Sequence, residues 1–138
     1  MRLLIDTQIF IWVVLDSDKL GAKARQVMLT ATEVFVSAAS IWEIAIKAKI
    51  GKLEGDPDEF VEAIEQSGFR ELMISARHAA KVHELPLYHR DPFDRLLIAQ
   101  ALTEPMRFLT ADSMLEQYSE LVMMVPKGKI TSQHLQRR

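Results

Sequence analysis

Five short, largely apolar segments constrain this chain most: "RLLID" at 2–6, "EVFVSAA" at 33–39, "FRELMI" at 69–74, "MRFLTA" at 106–111 and "LVMMV" at 121–125. Most lack the apolar–polar alternation of a strand with one face in water. Strands of that kind are buried on both faces, as happens in parallel sheets covered by helices on each side. The intervening segments have helical spacing: "TQIFIWVVL" just after Asp6, "GAKARQVMLTA", "SIWEIAIKAKIGKL", "SARHAAKVHEL" from Ser75, and a short helix near "SMLEQY". "DPDEFVEAIEQSG" carries its own punctuation, with Asp56 as N-cap, Pro57 in the first turn and Gly68 beyond the end. Pro86 and Pro92 bracket "PLYHR" as a loop. Strand and helix alternate along 138 residues, enough for one domain with a real core. The expected fold class is therefore α/β, a single domain whose central parallel sheet is flanked by helices on both faces.

Composition removes several chemistries. There is no cysteine, so disulfides, thiolate metal sites and cysteine nucleophiles are excluded. Neither G-x-x-x-x-G-K-[ST] nor G-x-G-x-x-G occurs, and G-x-S-x-G is also missing. His78, His83, His89 and His134 form no zinc-ligand spacing. The apolar N-terminus is interrupted at Asp6, and its longest clean run, Ile9 to Leu15, is too short to span a bilayer. No small-residue cleavage site follows it, so the expectation is a cytoplasmic protein without export signal or membrane segment. The segment from Pro126 holds Lys127, Lys129, Arg137 and Arg138 and no acid. Residues 1–125 thus keep 13 basic against 19 acidic residues, about −6. Residues 1–125 are expected to form the domain and 126–138 a basic, flexible tail. A body this acidic needs cations at any site that handles nucleic acid.

The acids supply a reason for cations. Asp6 ends the first strand; Glu43 lies three residues after Ser40, the spacing of a capping box; Asp91 precedes Pro92; Asp94 follows in the first turn; Asp112 follows "RFLTA". Taken singly, each fits helix capping. Taken together, Asp6, Glu43, Asp94 and Asp112 all fall near places where a strand hands over to a helix. In a parallel sheet those places share one edge, where ligands bind. Carboxylates crowded at a partly buried rim resist ionisation, and a divalent cation is the simplest compensation, with oxygen ligands suiting Mg²⁺ or Mn²⁺.

The stretches "LLIDTQIFIW", "VSAASIWEIAIKAKIGKL", "HRDPFDRLLIAQAL" and "FLTADSML" resemble the PIN-domain superfamily, in particular VapC-type toxin ribonucleases, over residues 2 to 125. The resemblance implies a parallel sheet between helices and an acidic pocket for Mg²⁺ or Mn²⁺. It further implies hydrolysis of RNA phosphodiester bonds to 5′-phosphate and 3′-hydroxyl ends, a small antitoxin partner and a homodimer. Carried over by motif, the metal-holding and catalytic acids are Asp6, Glu43, Asp94 and Asp112. Asp94 is preferred to Asp91 because it directly leads "DRLLIAQA", which leaves Asp91 as the cap or an orienting group. Thr7 and Thr110 match hydroxyl positions beside the first and fourth acids, where they would orient carboxylates or water.

Other residues stay open on sequence grounds. Arg95 is read as an ion-pair partner of Asp94 or a phosphate contact. His89 and Arg90 lie in the loop before Asp91, either touching RNA or solvated. Lys47, with Lys49 and Lys52, either steers RNA or forms a solvated helix face. His78 and His83 are expected to be surface or packing residues. Trp12 and Trp42 are expected in the core or at a partner surface rather than stacked on bases. Two rivals remain: a phosphatase with Asp6 as nucleophile, which would want an aspartate where Gln8 stands, and a non-catalytic module that binds RNA or protein.

Overall fold

The computed structural model describes residues 1–128. Strands Arg2–Ile5 (β1), Glu33–Ser37 (β2), Arg70–Leu72 (β3), Arg107–Thr110 (β4) and Val122–Met124 (β5) form one sheet in the order β3-β2-β1-β4-β5. Every pairing is parallel, with Ile5 level with Val36 on one side and Leu109 on the other. The helices are Thr7–Val14 (α1), Ala22–Thr30 (α2), Ala38–Lys49 (α3), Pro57–Gln66 (α4), Ala76–Lys81 (α5) and Pro92–Thr103 (α6), with 3₁₀ turns at Val82–Glu84 and Ser113–Tyr118. The chain leaves central β1 outward to β2 and β3, then returns to β4 on the opposite side. The crevice between β1 and β4 is therefore the point where strand order reverses, the usual binding place in open parallel sheets.

Both sheet faces are covered. Leu3 and Ile5 join Val34, Val36 and Leu109 in a core shared with Ile9, Phe10, Val27, Phe60 and Ile64 of the helices on that face. Leu4, Phe35 and Phe108 point the other way, into a core with Leu97, Ile98 and Leu115. Because successive strand residues enter opposite cores, the strands had to read as uninterrupted apolar runs. Each fully buried side chain contributes roughly 1.5–3 kcal/mol of apolar transfer.

Local signals set most helix ends. Asp6 accepts from the Ile9 N–H, Asp56 from Asp58, Asp91 from Phe93 and Asp94, and Asp112 from Met114, each capping a helix or 3₁₀ turn. Gly68 follows α4 with a φ of 78°, the left-handed conformation that favours glycine. The capping box expected at Ser40 and Glu43 does not form. α3 begins earlier, at Ala38, because Ser37 Oγ accepts from the Ala39 N–H at 3.0 Å. Ser40 and Glu43 therefore lie inside the helix, with their side chains available for other contacts. A capping box does occur at Ser75 and His78, which begins α5 and buries His78.

The start of the expected tail is docked. Lys127 pairs with Leu20 in an antiparallel bridge, and the Gly128 N–H donates to Lys19 O at 2.7 Å. Only glycine fits there, since a Cβ on residue 128 would lie 2.0 Å from Asp18 O. The rest of the basic segment, residues 129–138, lies outside the described residues. Among the described residues no helix is long and apolar enough to cross a membrane.

Candidate acidic site

At the carboxyl edge of the sheet a cavity of about 490 Å³ is lined by Asp6, Thr7, Gln8, Trp12, Lys19, Glu43, Lys47, Asp91, Asp94, Ala111, Asp112, Ser113 and Lys127. The structure brings all four sequence-selected acids to this one cavity. β1 delivers Asp6 and β4 delivers Asp112, each on the residues that follow a strand. Glu43 reaches it from the second turn of α3 and Asp94 from the first turn of α6.

Burial grades the four. Asp6 is 6% exposed, whereas the side chains of Glu43, Asp94 and Asp112 are 12%, 21% and 40% exposed. Burial is the main force raising the Asp6 carboxyl from the ordinary 3.8 to about 6. Thr110 Oγ and the Ile9 N–H oppose it, and Glu43 and Asp112 add repulsion. Burial, then Asp91 and Asp6, push Asp94 up to about 7, against the hydrogen bond from His89, with Glu43 adding further repulsion. Each of these two acids thus feels other members of the group, the electrostatic mark of a shared site.

Hydrogen bonds fix the carboxylates individually. Thr110 Oγ1 donates to Asp6 Oδ2 at 2.5 Å and accepts from the Asp112 N–H at 3.0 Å. Thr110 therefore ties the first acid to the fourth. Thr7, expected to orient a carboxylate, instead donates to Ser40 Oγ at 2.8 Å and joins α1 to α3 beneath the cavity. Asp91 Oδ1 accepts from the N–H groups of Phe93 at 2.8 Å and Asp94 at 3.2 Å, so it anchors the turn that carries Asp94. Lys47 Nζ lies 3.1 Å from Glu43 Oε2, while Glu43 Oε1 is buried with no hydrogen-bond partner among the described residues.

Arg95 departs from both readings the sequence left open for it. Arg95 neither pairs with Asp94 nor faces the cavity. It is 9% exposed and spends its guanidinium inward: Nη1 donates to Pro86 O at 2.8 Å and Tyr118 Oη at 3.3 Å, and Nη2 to Val82 O and Leu85 O, both at 3.3 Å. A guanidinium committed to these acceptors has no surface for phosphate. Arg90 is exposed on the loop and does not line the cavity.

Sequence reasoning undervalued His89. Its Nε2 lies 3.0 Å from Asp94 Oδ2 and 4.0 Å from Asp112 Oδ2. Among the described residues, His89, Asp94 and Asp112 are the group whose donor atoms all fall within 4.8 Å of one another. A search for paired histidines misses it; the available signal was its position two residues before the capping Asp91. Lys19 and Lys127 were also missed, because the docking of residue 127 beside residue 20 is a tertiary event.

A doubly covered parallel sheet with converging carboxylates at its switch point defines an α/β protein with an acidic pocket. The chain belongs to the PIN-domain family, whose family model matches residues 3–121. No curated protein sequence matches it. Among solved structures, it is similar in fold to a chain of the VapBC2 complex from Rickettsia felis bound to a promoter DNA fragment. That match has a TM-score of 0.64 and 12% identity, covering 92% of this chain and 99% of the other. It is also similar to a chain of a toxin–antitoxin complex from Klebsiella pneumoniae, with a TM-score of 0.62 and 19% identity over 88% and 96% of the two chains.

Proposed function

We propose that this protein is a metal-dependent endoribonuclease that hydrolyses RNA phosphodiester bonds and serves as the toxin of a toxin–antitoxin pair. The observation that carries the reading is the convergence of Asp6, Glu43, Asp94 and Asp112, spread over the chain, on one cavity. The donor set fits Mg²⁺ or Mn²⁺: the oxygens are hard, and Glu43 Oε1 is buried without a hydrogen-bond partner among the described residues. Asp6, Glu43, Asp94 and Asp112 would hold the ion. When bound, it supplies Lewis acidity toward the phosphodiester and lowers the pKa of neighbouring water.

The protein's own contribution is placement. Thr110 and the Ile9 N–H hold Asp6, and Asp91 holds the turn under Asp94. Lys47 balances one Glu43 oxygen, while Lys19 and Lys127 put positive charge at the cavity, where RNA phosphates would approach. The kinship in fold with chains of toxin–antitoxin complexes supports an antitoxin partner. Trp42, Ile46 and Ile50, four residues apart on or just beyond α3, leave apolar surface exposed for an antitoxin or a second copy. Action on RNA in the cytoplasm and homodimer formation belong to the same proposal.

The test is cleavage of a mixed RNA pool with Mg²⁺ or Mn²⁺, run beside EDTA and Asp94→Asn. Cleavage lost in both controls supports the reading. Cleavage that survives both overturns the site, and RNA binding without turnover in any lane supports the non-catalytic alternative. Size-exclusion chromatography with light scattering tests the partners; a monomer that captures no antitoxin from the neighbouring locus counts against both.

A further inference from the structure

His89 has no place in the four-carboxylate ligand set, yet the structure invests in holding it. Its backbone N–H donates to Tyr118 Oη at 2.8 Å, and Tyr118 Oη donates back to His89 O at 3.4 Å. Arg95 reaches the same hydroxyl and also binds the carbonyls of Val82, Leu85 and Pro86, so one buried guanidinium fixes the segment leading to His89. The imidazole is thereby delivered to the acids with its side chain 21% exposed.

His89 Nε2 hydrogen-bonds Asp94 in the cation-free protein, and the spacing of the three donor atoms also suits ligands around one ion. Nε2 is 3.0 Å from Asp94 Oδ2 and 4.0 Å from Asp112 Oδ2, and the three donor atoms lie within 4.8 Å of one another. Bonds of about 2.0–2.2 Å place neighbouring and opposite ligands of a cation in this range. Asp6 and Glu43 line the same cavity but fall outside this compact group.

We propose that His89 Nε2 is a ligand of the divalent cation together with Asp94 and Asp112, making the donor set mixed nitrogen and oxygen and biasing the site toward Mn²⁺ over Mg²⁺. The assignment rests on the metal-dependent reading above and deepens it. The bias follows from ligand softness: Mg²⁺ keeps to hard oxygen donors and water, whereas first-row transition ions accept imidazole nitrogen.

The experiment is pulsed electron paramagnetic resonance of the full chain with Mn²⁺, joined to calorimetric titration with Mn²⁺ and Mg²⁺, on wild type, His89→Gln and Asp94→Asn. Circular dichroism checks that the variants are folded, with His89→Asn replacing His89→Gln if the latter is not. The expected result is ¹⁴N coupling to bound Mn²⁺ in the wild type that vanishes in His89→Gln. Mn²⁺ affinity should fall on the order of tenfold in that variant, with Mg²⁺ affinity changed by less than about threefold. Mn²⁺ binding that requires Asp94 but shows no ¹⁴N coupling, or coupling that persists without His89, overturns the assignment and leaves the nuclease reading standing. Failure to bind Mn²⁺, or equal binding by Asp94→Asn, overturns the metal site and this assignment with it.

Discussion

Thr110 Oγ1 donates a 2.5 Å hydrogen bond to Asp6 Oδ2, joining residues 104 positions apart. The contact exists because β1 and β4 are parallel neighbours in a register that sets Ile5 level with Leu109. Asp6 and Thr110 then emerge together at the carboxyl edge. The bond favours the ionised form of an acid that burial disfavours.

Replacing Thr110 with the near-isosteric valine removes that donor and leaves a buried carboxylate less satisfied. The expected cost is roughly 1–3 kcal/mol in chemical denaturation near neutral pH. The Asp6 carboxyl should rise further from about 6. The acidic limb of the cleavage–pH profile should move upward, so that Thr110→Val loses more activity at pH 6 than at pH 8. An unmoved limb would detach Thr110 from the ionisation of Asp6.

Asp6 and Asp94 also give the cation-free protein a characteristic pH dependence. Both are raised from 3.8 in the folded state, to about 6 and about 7. Between those limits the folded protein binds more protons than the unfolded chain, so these two acids lower stability as pH rises from about 4 to about 7 and then level off. The Asp6 shift alone corresponds to about 3 kcal/mol. Calorimetry in EDTA should show this decline superimposed on other titrations. Added Mg²⁺ or Mn²⁺ should raise Tm more at pH 8 than at pH 5. Asp94→Asn should raise the cation-free Tm at pH 8 while abolishing cleavage; a lower Tm would show that burial and like-charge repulsion do not destabilise the ionised Asp94.

Arg95 is predicted to act through structure. Arg95→Lys cannot span the carbonyls of Val82, Leu85 and Pro86 together with Tyr118 Oη, and it should cost roughly 2–4 kcal/mol in denaturant unfolding. The slope of RNA affinity against salt should be unchanged, because no phosphate contact is lost. A slope reduced by about 0.7, the value for one single-strand phosphate, would restore Arg95 as an RNA contact.

Lys19 and Lys127 carry the opposite expectation. Removing either one, as alanine, should weaken RNA binding and reduce the salt slope by about 0.7, with Mg²⁺ affinity held within about twofold. Gly128→Ala should reproduce the Lys127 effect without removing a charge, since its methyl group collides with Asp18 O and displaces the segment bearing Lys127. Filter binding at several salt concentrations reads all three variants.

Much of this fold was legible in one dimension because its signals are local. Uninterrupted apolar strands announced a sheet buried on both faces, and Asp56, Pro57, Gly68, Asp91 and Pro92 marked helix ends through hydrogen bonds and dihedral preferences spanning a few residues. The same locality misled at α3, where Ser40 and Glu43 have capping-box spacing but Ser37 had already capped the helix. For the site, sequence placed Asp6 and Asp112 after strands and Asp94 in the first turn of a helix, and topology then carried them to one cavity with Glu43 from the second turn of α3. Tertiary structure alone decided that Arg95 turns inward, that Thr7 bonds Ser40, that Lys127 reaches the cavity, and that His89 comes within 4.0 Å of both Asp94 and Asp112. Those outcomes depend on which side chains meet when separate segments pack. Such meetings are fixed by steric fit and hydrogen-bond satisfaction across the whole fold, and no local spacing encodes them.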